Sequence, residues 1–244
     1  MTVSTTTLER VLIVGGSSGM GLALAAALVA DGAEVTIAGR SAERLATAEQ
    51  ALADRPGTVH TAVADITREA DLDRLFADVG PVDHVVATAA DVTGAYQPVA
   101  AFDADQASSL ISTKLIGPTL LAKHARFVSG GSLTFTSGIA AYRPASGGAM
   151  IAAVNGALAS LGYALAIELG PVRVNVISPG WVDTPIWDII AGPAKTERHR
   201  QLAARLPLGR IGRPDDIAHA MLAVMRNPFI TGTVLHVDGG HRLV

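Results

Sequence analysis

The 244-residue chain has no cysteine, which excludes disulfides, thiolate metal centres and thiol nucleophiles. Aromatic residues are scarce, at 4%, and charged residues make up only 17%. The apolar mass, 49% of the chain, is therefore carried mainly by small aliphatic side chains, which suit helices packed closely on a sheet. Positive charge is not in excess. The formal net charge of -3 gives no electrostatic reason for a nucleic-acid or acidic-membrane partner. No uninterrupted apolar stretch reads as long enough to span a bilayer. The segment Met1-Thr2-Val3-Ser4-Thr5-Thr6-Thr7 carries neither a basic patch nor an apolar signal core. The seven histidines form no metal-ligand pattern. The expectation is a cytoplasmic protein with no metal.

Short β-rich runs alternate with helical patterns from end to end. The strand candidates are Val11–Val14, Glu34–Ala38, Val59–Ala64, His84–Thr88, Ser132–Thr136, Arg173–Ile177 and Val234–Val237. Helical patterns fall near 19–31, 41–53, 68–78, 103–126, 149–169 and 214–226. This alternation predicts an α/β fold, with about seven mainly parallel strands in one sheet and helices on both faces. No linker or repeat interrupts it, so residues 1–244 read as a single domain. The least regular stretch runs from Trp181 to Pro207 and reads as either a lid over substrate or a surface helix pair.

The strongest motif is Gly15-Gly16-Ser17-Ser18-Gly19-Met20-Gly21, set between the apolar run Val11–Val14 and an alanine-rich helix. Strand, glycine turn and helix in that order make a phosphate cradle. The glycines let the backbone approach a pyrophosphate, and the helix start offers free N–H groups and a positive dipole end. An ordinary tight turn is the bland alternative. The second strand ends Gly39-Arg40-Ser41 and offers no carboxylate for ribose hydroxyls. Arg40 suits the 2′-phosphate of NADP(H) instead, with Ser41 as an added hydroxyl or a helix N-cap. Asp65, followed by Ile66, is placed to meet adenine or to cap the next helix. Thr88-Ala89-Ala90 are small enough for a ligand to lie against the backbone.

These segments resemble the short-chain dehydrogenase/reductase family over nearly the whole chain. The G-x-x-x-G-x-G spacing at 15–21 is similar to that family's. So are Asp65-Ile66, Ala164–Leu169, Arg173-Val174-Asn175-Val176-Ile177-Ser178-Pro179-Gly180, Arg213–Ala218, and Thr231-Gly232 with Val237–Gly240. The resemblance implies a Rossmann-like doubly wound fold and a nicotinamide cofactor, with Pro179, Gly180, Val182 and Thr184 at its nicotinamide end. It also implies a small-molecule substrate and a homo-oligomer, tetramer or dimer, built partly on the helices at 103–126 and 149–169.

The family's catalytic pattern is a serine after the fifth strand, a Tyr-x-x-x-Lys pair on the next helix and an asparagine on the helix before that strand. Counted back from Glu168-Leu169, the tyrosine position falls on Ile151 and the lysine position on Asn155. The serine position falls on Gly138, beside Ser137, and the asparagine position on Lys114. Isoleucine has no proton to give, and losing a positioned general acid costs about two to four decades in rate. Lys114 and Asn155 read as an exchange of ammonium and amide between helices, so the candidate catalytic residues are Lys114, Asn155 and Ser137. Tyr142 reads as a packed loop aromatic that has the alternative of swinging inward. Asp91 and Tyr96 are expected to face the substrate cavity, and Trp181 and Trp187 to wall it. Two functions follow. One is an atypical NADPH-dependent oxidoreductase for an activated enone, imine or carbonyl. The other is an inactive NADP(H)-binding sensor or interaction protein.

Overall fold

A computed structural model describes residues 8–244; the expectation about the first seven residues lies outside them. Seven strands form one parallel sheet: β1 (Arg10–Val14), β2 (Glu34–Gly39), β3 (Thr58–Val63), β4 (Val82–Ala87), β5 (Phe127–Thr136), β6 (Arg173–Pro179) and β7 (Val234–Val237). Their order is β3-β2-β1-β4-β5-β6-β7. The sequence reverses direction across the sheet at β1 and β4, which opens a crevice at the carboxyl ends of those strands. Every one of the seven strand candidates is a strand. β5 begins earlier than its β-rich run, because Phe127 pairs with Val82 ahead of a register shift.

Two hydrophobic layers sandwich the sheet. On one face α1 (Gly19–Ala30), α2 (Ala42–Leu52) and α9 (Pro214–Arg226) bury Leu24, Leu28, Leu45, Ile217 and Met221 against Ile13, Val35 and Ile177. On the other, α3 (Glu69–Val79), α5 (Gly117–His124) and α6 (Ala149–Glu168) bury Leu72, Phe76, Leu121, Leu158 and Leu165 against Leu12, Val85, Leu133 and Val174. β6 is buried along its whole length, as expected of a parallel strand covered on both faces.

Two helices carry detail that the sequence does not show. The helical pattern 103–126 is one unbroken run over 104–124, but it is not α-helical throughout. It comprises α4 (Ala104–Ile111), a π-helical segment Ser112–Ile116, and α5. Pro118 has no N–H and cannot donate to the carbonyl four residues back, at Lys114. The ladder there widens, so that Gly117 N–H donates to the Ser112 carbonyl. Second, α6 is long and apolar enough to cross a membrane by length and composition. Scattered polar residues had hidden that run in the sequence. In the fold its inner face, including Ile151, Leu158 and Leu165, is buried on the domain core.

The stretch after Trp181 forms two short helices, α7 (Ile186–Ala191) and α8 (Lys195–Ala203), joined through Gly192. Helix pair and lid are therefore compatible: Ile186 and Ile190 of α7 pack against the apolar cluster that contains Ile151.

Candidate active site

The glycine loop is shaped by close approach. A Cβ on Gly21 would stand 2.4 Å from the Gly15 carbonyl oxygen and 2.6 Å from Thr88 Oγ1, and Gly15 itself has φ +95°. Only glycine satisfies either position. Thr88 locks the loop by donating from Oγ1 to the Gly15 carbonyl at 3.1 Å, while the Thr88 and Ala89 N–H groups both donate to Val14. Ala90 follows on the same loop. Ser18 is the N-cap residue of α1 but makes no side-chain cap, and no acidic residue sits in the first turn, where Met20 lies. The positive end of that helix is thus uncompensated, and an anion fits there.

Around the second strand the structure adds a residue that sequence reasoning missed. Arg44 donates to Ser18 Oγ at 2.9 Å, bringing a guanidinium to the glycine loop beside Ser17 and Ser18. Ser41 is the N-cap of α2 and accepts from Arg44 N–H at 3.2 Å. The i+3 spacing from that cap accounts for the Arg44 N–H alone; nothing in the sequence signals that its guanidinium reaches Ser18. Arg40 stays exposed and lies 3.9 Å from Asp91. Asp91 therefore points toward Arg40, not toward the substrate cavity as expected. The loop after β4 turns back across the sheet toward β2.

Asp65 Oδ1 accepts from both the N–H and the hydroxyl of Thr67, at 2.9 and 2.7 Å, which braces the turn before α3. Its neighbour Ile66 is buried. At the end of β6, a Cβ on Gly180 would collide with Asp238 at 2.8 Å. Val182 bridges to Gly212 and is buried. The Thr184 methyl would stand 3.2 Å from a Cβ on Gly19, so the loop that follows Pro179 closes over the start of α1.

Lys114, Ser137 and Asn155 meet at the carboxyl end of β5. Lys114 is buried, on the π-helical segment, and its Nζ donates to the carbonyls of Thr136 at 3.2 Å and Ser137 at 3.4 Å. Desolvation pushes its pKa down to about 8. Ser137 Oγ donates to the main-chain carbonyl of Asn155 at 3.1 Å, so its proton is engaged inside the protein. The Asn155 Oδ1 is buried without a hydrogen-bond partner. A Cβ on Gly138 would stand 2.9 Å from Asn155 Nδ2; the amide fills the space a side chain at 138 would take.

Ile151, one turn earlier on α6, lies in a dry cluster with Val92, Ala95, Leu110, Ala140 and Val154. Tyr96 stands on this side: a Cβ on Gly148 would be 3.4 Å from its ring and 3.6 Å from the Ile151 side chain. Burial raises its pKa. Tyr142 does not turn inward. It packs edge-on to His236 with ring centroids 4.4 Å apart. Trp181 and Trp187 pack with ring centroids 4.2 Å apart and planes inclined at 43°, and Trp187 is buried.

The order of strands, a glycine loop at the crossover point and a buried polar cluster at the end of β5 are the features of a nucleotide-binding α/β fold. A family model described as enoyl-(acyl carrier protein) reductase matches residues 14–242. The chain belongs to the short-chain dehydrogenase/reductase family. It is 36% identical over 252 residues to the short-chain dehydrogenase/reductase ATR9 of Stachybotrys chlorohalonatus, covering 95% of this chain and 96% of that one. Among solved structures it resembles the MalC reductase/Diels-Alderase of Malbranchea aurantiaca, with 34% identity, a TM-score of 0.89 and 97% of each chain covered. It also resembles a small-chain dehydrogenase in complex with NADPH, with 30% identity, a TM-score of 0.81, and 98% and 100% of the two chains covered.

Proposed function

We propose that the protein is an NADPH-dependent reductase in which Lys114, and not a phenol on α6, handles the proton. On this reading Ile151 and Asn155 occupy the family's tyrosine and lysine positions. The observation that carries it is the Lys114 ammonium, buried between the Thr136 and Ser137 carbonyls with its pKa lowered to about 8. A group with that pKa is mostly protonated at pH 7 yet releases its proton far more readily than an ordinary lysine. NADPH, when bound, supplies a hydride to an electrophilic carbon.

The chain's own residues hold and orient. Gly15, Ser17, Ser18, Gly19, Met20 and Gly21 would cradle the pyrophosphate. Arg40 and Arg44 would meet the 2′-phosphate, with Ser41 beside them. Asp65 and Ile66 would border adenine, and Thr88, Ala89 and Ala90 the ribose. Pro179, Gly180, Val182 and Thr184 would border the nicotinamide. The cluster around Ile151 and α7 excludes water from the reacting carbon.

A reduction of this kind needs one proton per turnover unless the acceptor is already a cation. Activated enones and iminium ions ask least of the site, because the first takes its proton after hydride addition and the second needs none. The NADPH complex of a relative and the reductase named among the similar structures support turnover over a silent sensor. The outward side of α6, with Ala149, Ala153, Tyr163 and Ile167 exposed, suits a homo-oligomer, a dimer or a tetramer. Light scattering on a sizing column tests that assembly.

The deciding experiment follows NADPH absorbance with panels of enones, cyclic imines and simple ketones. Consumption with the first two, and at least about a hundredfold less with ketones, is expected. Tight NADPH binding without turnover on any panel would refute the reading.

A further inference from the structure

A second concave region lies beyond the Ile151 cluster. A cavity of about 500 Å³ opens between the loop after β5, helix α8 and the chain's last turn. Its volume is in the range of small-molecule sites. Helical spacing explains one wall: Arg198, Gln201, Leu202 and Arg205 recur at three and four residues and share a face of α8 and its final turn. Arg143 faces them from the opposite loop.

The charge is what sets this cavity apart. The neighbouring Arg200, on another face of α8, is paired with Glu197 at 2.7 Å. Among the described residues, Arg143, Arg198 and Arg205 make no ion pair and no side-chain hydrogen bond, although each lines the cavity. Two of them converge on one point. His241, 9% exposed and with an unpartnered buried Nδ1, lines the same cavity. Burial is the larger cause of its lowered pKa. The charges of Arg143 and Arg205 add to it, against the opposing pull of Asp238. Three guanidiniums that make no ion pair, offset only in part by Asp238 near His241, create a local positive potential that an anion relieves. Their planar forks suit carboxylate or phosphate oxygens.

The remaining wall is aromatic. Trp181 lines the cavity and packs on Trp187 of α7, the helix that covers Ile151. The cavity and the reducing site thus share a partition.

We propose that this cavity binds the anionic end of the substrate, a carboxylate or phosphate ester held by Arg143, Arg198 and Arg205, with a flat apolar body against Trp181. The link to substrate rests on the reductase reading above; the anion site itself does not.

The test is calorimetric titration of the full chain, saturated with NADP+, with phenyl phosphate, benzoate and benzyl alcohol. Both anions or one of them should bind, and the tighter of the two identifies the charged group. The neutral alcohol should not. The double variant Arg143→Gln/Arg205→Gln should weaken the anion at least about tenfold and leave NADP+ affinity unchanged. Equal binding of benzyl alcohol, undiminished anion binding by the variant, or no anion binding at all would overturn the site. In turnover, enones bearing a carboxylate should show a KM at least about tenfold below their methyl esters, and the double variant should abolish that difference. Equal KM values in the unaltered protein would remove the link to substrate. Should the chain take up no NADP+, the reductase reading fails. The same anion titrations on unloaded protein, unaltered and double variant, would still decide the cavity.

Discussion

The two ends of the crevice are built on different principles. At the β1–β2 end, contact with a nucleotide depends on backbone: Gly15, Gly21 and Thr88 press together, and the helix start is left open. At the β5–β6 end the proposed chemistry depends on side-chain type: on the reading proposed above, an ammonium, an amide and an isoleucine stand where the family carries an asparagine, a lysine and a tyrosine. A backbone device tolerates little substitution. A side-chain device can be rebuilt without disturbing the fold, because Lys114 and Asn155 are buried as completely as the residues around them.

The largest expected effect is at the first end. Gly21→Val places a Cβ 2.4 Å from a carbonyl oxygen, so the loop must move. We expect loss of NADPH binding in calorimetry and about 1–3 kcal/mol of stability in chemical denaturation. If the variant binds NADPH normally, the backbone account of that end is broken.

Lys114→Met addresses the other end. For an acceptor that must be protonated, turnover should drop by about two to four decades, with little change for an iminium ion and in NADPH affinity. The pH dependence of stability has a definite sign. The Lys114 pKa of about 8 in the fold lies below the unfolded value of 10.5, so the unfolded chain binds more protons between those values. The native protein's stability therefore rises from pH 8 to 10.5, and the burial penalty is fully present below pH 8. Lys114→Met should lose that rise and be stabilised at pH 7 by about 1–3 kcal/mol. Loss of activity with gained stability would sharpen the comparison. Unchanged activity would break it.

A smaller effect belongs to neither end. Glu9 lies 3.4 Å from the His84 ring and 3.0 Å from Arg226, which also pairs with Asp31. The hydrogen bond from His84, then those of Arg226 against some burial, lowers the Glu9 pKa to about 2. The resulting stability is present above about pH 4.5 and is lost as pH falls toward 2. Glu9→Gln should cost about 1–2 kcal/mol at pH 7 and nothing near pH 2, by thermal melts across that range, with NADPH affinity unchanged. The smallest expected change is Arg44→Ala, which should weaken NADPH about three- to tenfold in calorimetry and leave NADH alone. Equal losses for both nucleotides would remove Arg44 from the 2′-phosphate.

Much of this was legible in the sequence because it is written in short-range patterns. The seven apolar runs, the glycine spacing and the cap at Ser41 are local. Contacts between distant elements were not. Nothing local to Arg44 says that it reaches Ser18, or local to Asp91 that it turns toward Arg40. The segment 112–116 was misread as ordinary helix, because the consequence of Pro118 falls four residues upstream, on Lys114 itself. Residues 186–203 lacked an apolar period because α8 is largely polar and α7 spans only six residues.

The packed pair Trp181 and Trp187 contains both tryptophans of the chain, and one of them rides on α7. The molecule therefore carries an intrinsic optical gauge at the doorway of its reaction chamber. Indole emission, with no label attached, will report on how α7 packs against Trp181.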